Sequence, residues 1–346
     1  MLSKEFSGFK ILVPTILGLG VIFYMFKDDF FELDKLVWSS NATFALIAAA
    51  ALVMIRDLAY IIRIKVLSMG ELSWRSSVNS ILLWEFSSAL TPSVIGGSAF
   101  AVLILKREGL STGRSAATVI ATALLDELFY VIAVPIIIVL AGINAFFPKE
   151  PPEFLGETGI QTLFFGGYTV VVAICLALLF ALFVAPKAVP SFLGFTFNLP
   201  ILKRWNNRAK RWAEEWNLAA NNLRGAGGKV WAKASAATFL SWSARFLTLN
   251  AVLYAFMESI PNTEILARQL AMWLVMLLSP TPGSSGIAEI AMPTFTESLL
   301  DVGRFGVIIL IWRFFTYYIY LILGAIIFPR WFSKTSDKSQ VFETAN

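Results

Sequence analysis

The chain has 346 residues, 57% of them hydrophobic and 15% charged, with a formal net charge of +5. A soluble domain carries nearer ~25% charged residues. Here the charges cluster between long uncharged runs, which is the pattern of a polytopic membrane protein.

There is no histidine and a single cysteine, Cys175. That excludes a His general base, a Ser–His or Cys–His dyad, a thiolate metal cluster and an intrachain disulfide. No metal and no cofactor is expected. The positive balance belongs to loops beside a membrane, with no nucleic-acid partner implied.

In chain order, apolar stretches long enough to span cover residues 11–26, 42–62, 115–142, 161–186, 230–257 and 305–328. About 20 residues at ~1.5 Å each cross a ~30 Å hydrocarbon core, so 11–26 is short for the task. Regions 78–106 and 265–300 differ: each predicts a half-length apolar helix (80–90, 266–278), a loop rich in helix breakers (91–98, 279–286) and a second short helix. Both read as re-entrant hairpins, since irregular backbone at membrane depth survives only inside protein or beside a wet cavity.

Loop charges give the orientation. With a cytoplasmic N-terminus, segments 1–10, 63–77, 106–114, 187–229 and 330–346 face inside and hold 19 basic residues. Segments 27–41, 143–160 and 258–264 face outside and hold three, with nine acids. The asymmetry follows the positive-inside rule and places both termini in the cytoplasm.

Thr91-Pro92, Gly96 and Gly113-Arg114 recur at a fixed offset of 190 as Thr281-Pro282, Gly286 and Gly303-Arg304. This predicts a single transmembrane domain over 1–346 built from two repeats, about 10–142 and 161–328. Segment 187–229 and a short tail, 330–346, remain in the cytoplasm. An odd number of crossings per repeat inserts the second copy upside down, as in secondary transporters. The expected fold is thus all-α, with six full spans and two oppositely oriented re-entrant hairpins in an inverted-topology repeat.

Within 187–229, residues 200–224 read as a basic amphipathic helix. Trp212, Trp216, Ala219 and Leu223 recur at helical spacing, and Lys210 and Arg211 flank them. Such a helix is expected on the inner leaflet, its tryptophans at headgroup depth and its bases on anionic lipid.

Ionisable groups inside apolar spans cost about 2.5–3.5 kcal/mol each on insertion scales and usually face a partner or a cavity. They are Arg56 with Asp57, Glu85, Asp126 with Glu127, Arg245, Glu289 and Arg313. Arg56 and Asp57 fit snorkelling at a span end as well as a cavity. Asp126 and Glu127 project ~100° apart, so one of them at most faces a given partner squarely. A structural pair of Asp126 with Arg245 or Arg313 is one reading; contact of the arginines with a lipid phosphate is the other. The carboxylates would suit an ammonium or sugar hydroxyls.

Ser279-Pro280-Thr281-Pro282-Gly283-Ser284-Ser285-Gly286-Ile287-Ala288-Glu289 resembles the Pro-x-Pro/Ser-Gly-Gly-x-Gly-x-x-Glu signature of the lysylphosphatidylglycerol synthase transmembrane region, a flippase-type family. Thr91-Pro92-Ser93-Val94-Ile95-Gly96-Gly97 resembles that family's first Pro–Gly-Gly element, and Trp312-Arg313-Phe314-Phe315-Thr316-Tyr317-Tyr318 its last span. Two departures stand out. Ser284 replaces a common second glycine, which implies a looser turn, and Asp126-Glu127 replaces a common acid–Arg pair.

The resemblance implies movement of modified lipids between leaflets. Lysyl-lipid synthesis is not expected, because that chemistry sits in a C-terminal soluble domain and only 330–346 follow the last span. The expected membrane-lipid substrate, phospholipid or glycolipid, would meet Arg56, Glu85, Thr91, Pro92, Gly96, Gly97, Asp126, Glu127, Arg245, Pro282, Gly283, Gly286, Glu289 and Arg313. The rival is a membrane glycosyltransferase with a polyprenyl-phosphate donor and Glu85 or Glu289 as base.

Overall fold

The computed structural model describes residues 39–91, 93–149, 156–197, 206–277, 279–296 and 305–343, together with residues 16, 19–24 and 299. The expected span 11–26, Pro92 and residues 200–205 lie wholly or largely outside them.

Every element described is helical. In order they are α1 (Ser40–Leu67), α2 (Trp74–Leu90), α3 (Ser93–Arg107), α4 (Thr112–Ala141), a 3-10 turn (Ile143–Phe146), and α5 (Gly156–Leu179), which runs into a π-turn (Phe180–Val184). There follow α6 (Ala188–Phe197), α7 (Asn206–Arg224), α8 (Gly227–Tyr254), α9 (Asn262–Leu277), α10 (Ile287–Thr296) and α11 (Phe305–Arg313). A second π-turn (Phe314–Tyr318) joins α11 to α12 (Ile319–Glu343). Serine N-caps start three of them, with Ser39, Ser73 and Ser111 accepting from the N–H three residues on.

Among the described residues, four helical runs are long and apolar enough to cross a membrane: Ser40–Leu67, Thr112–Ala141, Gly156–Val184 and Phe305–Ser333. The expected span 230–257 is the helix α8, as long as α1 at 28 residues. It carries Lys229, Lys233 and Arg245 and is less apolar. Large side chains such as Phe44, Met54, Leu58, Leu163 and Leu176 stand exposed on α1 and α5. Water penalises such a face; hydrocarbon does not.

The first break is much shorter than the predicted loop. Proline disfavours helical backbone in the residue before it, and Thr91 is extended (φ −105°, ψ 139°) while its N–H still bonds the Ser87 carbonyl. Helix resumes at Ser93, so Gly96 and Gly97 lie inside α3. The second break keeps its predicted extent, from the end of α9 to Gly286.

α1 packs most extensively on α8. Arg63 donates to Thr238, and seven residues back along α1 Arg56 meets Glu85, which also holds Arg245, seven residues on along α8. The two helices therefore run antiparallel. α2 packs on α12 and α9 on α4. The largest apolar cluster joins α4, α8, α9, α10 and α11 through Tyr130, Trp242, Phe246, Leu270, Met292 and Ile308. Arg268 of α9, 2% exposed, donates to the carbonyls of Ala145 (2.7 Å) and Phe295 (3.1 Å).

Trp216, Ala219 and Leu223 of α7 are buried with Ala117, Ala121 and Leu124 of α4. Trp216 donates to the Pro186 carbonyl. The tryptophan expected at headgroup depth is thus covered by protein, because α4 offers it an apolar face and Pro186, ahead of α6, a buried acceptor. Lys210 and Arg211 remain exposed.

Candidate functional site

A cavity of about 330 Å³ opens where α1, α2, α4, α8, α9 and the α11–α12 π-turn meet. It is bounded at two corners by the helix breaks, through Thr91 and through Gly283 and Ser284. Arg56, Glu85, Asp126, Glu127, Arg245 and Arg313, far apart in the sequence, all reach it. Aromatic side chains, among them Tyr60, Trp84, Trp242, Trp273 and Tyr320, form much of its wall.

Arg56, 1% exposed, is held between rings. Its guanidinium lies over Tyr320 (4.8 Å) and Tyr60 (5.3 Å) and pairs with Glu85 at 2.5 Å. Tyr320 in turn donates to both oxygens of Asp57 at 2.9 Å. This answers the choice left open for Arg56: it faces the cavity.

Arg63, expected as a cytoplasmic loop base, is instead 4% exposed and part of the same wall, because α1 continues to Leu67. It grips Asp126 with both terminal nitrogens (2.5 and 3.2 Å), donates to Thr238 (3.1 Å) and lies over the Tyr60 ring at 4.7 Å. Trp242 Nε1 donates to the same carboxylate at 2.6 Å. Asp126 therefore pairs with neither Arg245 nor Arg313. The signal that would have found Arg63 is its spacing: Arg56, Tyr60 and Arg63 stand at i, i+4 and i+7, one face of one helix.

Arg313 belongs to the second break. Gly283 (φ 55°), Ser284 (φ 54°) and Gly286 (φ 85°) all adopt left-handed backbone, which glycine enters freely and serine at a cost. Ser284 holds that conformation with its hydroxyl on the Met276 carbonyl (2.9 Å). Gly286 caps α10. Glu289, three residues on, reaches back to its N–H at 2.7 Å, one half of a capping box.

That carboxylate is fully buried, and Arg313 Nε meets its other oxygen at 2.8 Å. A second Arg313 nitrogen donates to the Gly283 carbonyl (3.2 Å), and the guanidinium stacks on Tyr317 at 4.1 Å. Arg313 thus holds the break, and Glu289 lies behind it rather than on the cavity. Pro282, Gly286 and Gly97 also stay off the cavity wall, Gly97 lying against Ser88. Gly96, helical, and Gly286, in a turn, are not equivalent in conformation as the repeat predicts.

Arg245 is the least committed cation. Its side chain is 32% exposed, its contact with Glu85 is long (3.7 Å) and it lies over Trp242 at 5.2 Å. Its Nε has no hydrogen-bond partner, and neither has Glu127 Oε2 across the cavity. Among the described residues no group of His, Cys, Asp and Glu is arranged to hold a metal ion.

Long apolar helices around a charged, aromatic-walled cavity define an integral membrane protein with a polar site at its centre. Residues 11–324 match the family model of the lysylphosphatidylglycerol synthase TM region, and the chain belongs to that family. It is 24% identical over 329 residues to a "UPF0104 membrane protein" of Archaeoglobus fulgidus, covering 91% of this chain and 95% of that one. No solved structure matches the chain.

Proposed function

We propose that the protein is a lipid flippase or lipid-linked substrate transporter, moving a modified phospholipid or glycolipid between leaflets of the cytoplasmic membrane. One observation carries this reading: four arginines and three acids from five helices converge on one cavity between two helix breaks. Charges at membrane depth are expensive and mark substrate paths. A volume of about 330 Å³ is at the low end for ligand sites and suits a headgroup, with acyl chains left outside.

Arg245 is the chief phosphate contact in this reading, since its planar fork is the one least occupied by protein. Arg56, Glu85, Asp126 and Glu127 shape the field for an ammonium or sugar hydroxyls. Thr91 stands at the first break, with Gly96 and Gly97 inside the helix that follows it, and Pro282, Gly283 and Gly286 with Glu289 and Arg313 build the second. Exposed Lys210 and Arg211 meet anionic lipid of the inner leaflet. A glycosyltransferase would draw its base from Glu85 or Glu289, and both are committed to arginines.

The finer architecture belongs to the same proposal: six spans, two oppositely oriented re-entrant hairpins and an inverted repeat with cytoplasmic termini. It is supported by the recurrence at offset 190 and by helices in matching order, α1–α4 and α8–α12. Exchanged packing supports it too, since α2 on α12 and α9 on α4 are the same contact under a two-fold. In a Cys175→Ser background, cysteines at 147 and 262 should label from outside. Labelling of position 147 solely from the cytoplasm would end the inverted arrangement.

Leaflet exchange in proteoliposomes tests the function. Arg245→Lys keeps charge and loses the fork, weakening headgroup binding by about 1.5–3 kcal/mol, or about ten- to hundredfold. Arg245→Ala should be worse, with thermal stability near that of the parent in both. Exchange by Arg245→Ala at the parent rate would overturn the headgroup role.

A further inference from the structure

We propose that Glu127 is a proton-carrying group that couples lipid movement to a transmembrane pH gradient. The inference rests on the transport reading above and adds the coupling ion to it.

The other acids at the cavity have cations of their own. Glu85 has Arg56 and Arg245, Asp126 has Arg63, and Glu289 behind the wall has Arg313. Glu127 forms no ion pair among the described residues, and its Oε2 is buried without a hydrogen-bond partner. It lies on the cavity wall at the middle of α4. Some 15 residues at ~1.5 Å place it about 22 Å from either end of that helix.

The surroundings decide its charge. Asp126, adjacent on α4, is gripped by Arg63 and Trp242, and a carboxylate there opposes a second negative charge beside it. On the cavity side α1 presents Arg56 and Arg63, α8 Arg245 and α11 Arg313; Arg56 and, at longer range, Arg245 share Glu85 of α2, Arg63 holds Asp126, and Arg313 holds Glu289. α9 presents no ionisable side chain to the cavity. Outside it, Tyr130 of α4 and Cys175 of α5 are buried and offer no cation.

Without a counter-ion in a low-dielectric wall, the carboxyl keeps its proton while the cavity is closed. It releases that proton to cavity water when one side opens, and it is reloaded from water on the other side. No other reactant is needed. One proton per lipid under a gradient of one pH unit sustains about a tenfold leaflet asymmetry.

The test uses the full chain in phosphatidylethanolamine/phosphatidylglycerol vesicles, with NBD-labelled phosphatidylglycerol and phosphatidylethanolamine as probes and dithionite quenching to read the leaflet ratio. The parent should build an asymmetry approaching tenfold that collapses with a proton ionophore. Glu127→Gln should build none, and Glu127→Asp should keep the response. Infrared difference spectra of the parent in detergent should carry a protonated-carboxyl band that Glu127→Gln removes.

A probe ratio in the parent that ignores the gradient, or gradient-driven asymmetry in Glu127→Gln, overturns the coupling. If the parent moves neither probe, the transport reading fails with these lipids. The infrared band then judges the proton site alone: its persistence in Glu127→Gln overturns the assignment, and its loss supports it.

Discussion

Arg313 and Glu289 were read from the sequence as two separate intramembrane charges; in the fold they are one buried pair. Removing one partner of such a pair leaves an uncompensated charge and costs about 3–5 kcal/mol. Arg313→Ala should therefore lower thermal stability in detergent far more than Arg245→Ala. Adding Glu289→Leu to Arg313→Met should recover part of the loss, with the Gly286 N–H left unsatisfied. Equal stability of Arg313→Ala and Arg245→Ala would contradict the division of labour drawn here. The ionisable types were legible because hydrocarbon makes charges conspicuous. Their partners were not, since Glu289 and Arg313 meet only after the chain has turned back on itself. Arg63 was hidden for another reason: at the end of an apolar run a buried arginine and a loop arginine look alike until the helix boundary is known.

Helix boundaries are also where the elements depart from expectation. The break at Thr91 was legible from Thr-Pro, but the following glycines drew the predicted loop through residues that are helical. Glycine is poor in a helix by about 1 kcal/mol, a penalty that packing repays when small residues let helices approach. The same logic governs α7. At Gly113 an added Cβ would lie 2.4 Å from the Glu215 and Trp216 backbone, and the Gly113 N–H donates to Glu215 at 2.8 Å. Backbone cannot rotate away, so Gly113→Ala should push α7 off α4. Hydrogen exchange should then rise across 211–224 while α8 and α9 stay protected. Unchanged protection of α7 would show that its docking does not depend on this contact.

At the scale of the whole molecule, helices far apart in the sequence are held together by packing such as that of α4 on α9. At the α4–α9 seam Tyr130 donates to the Leu270 carbonyl and packs on Trp273 with ring centroids 4.7 Å apart. Tyr130→Phe should cost about 1 kcal/mol for the lost hydrogen bond. Tyr130→Ala, which leaves a hole beneath Trp273, should cost about 3–5 kcal/mol. Thermal unfolding of the two variants separates them, and similar losses would mean that the ring contributes little. The proposed repeat rests on spaced Thr-Pro and Gly-Arg pairs that the sequence displays. The aromatic contacts that stabilise the packing were not legible there, because Trp and Tyr in an apolar span look alike whether they face lipid or protein.

Arg268 ties the turn after α4 to the end of α10 by two carbonyl oxygens on either side of a single buried guanidinium. A helix that carries such a clasp cannot slide against either neighbour by even half a turn without stranding a charge among apolar side chains. The α9–α10 pair and the turn at 143–146 therefore form one mechanical body, with the C-terminal end of α4 as its handle. Any rearrangement that alters access to the cavity must leave that body whole and take up its displacement elsewhere, along the face that α9 and α10 turn toward α8 and α11.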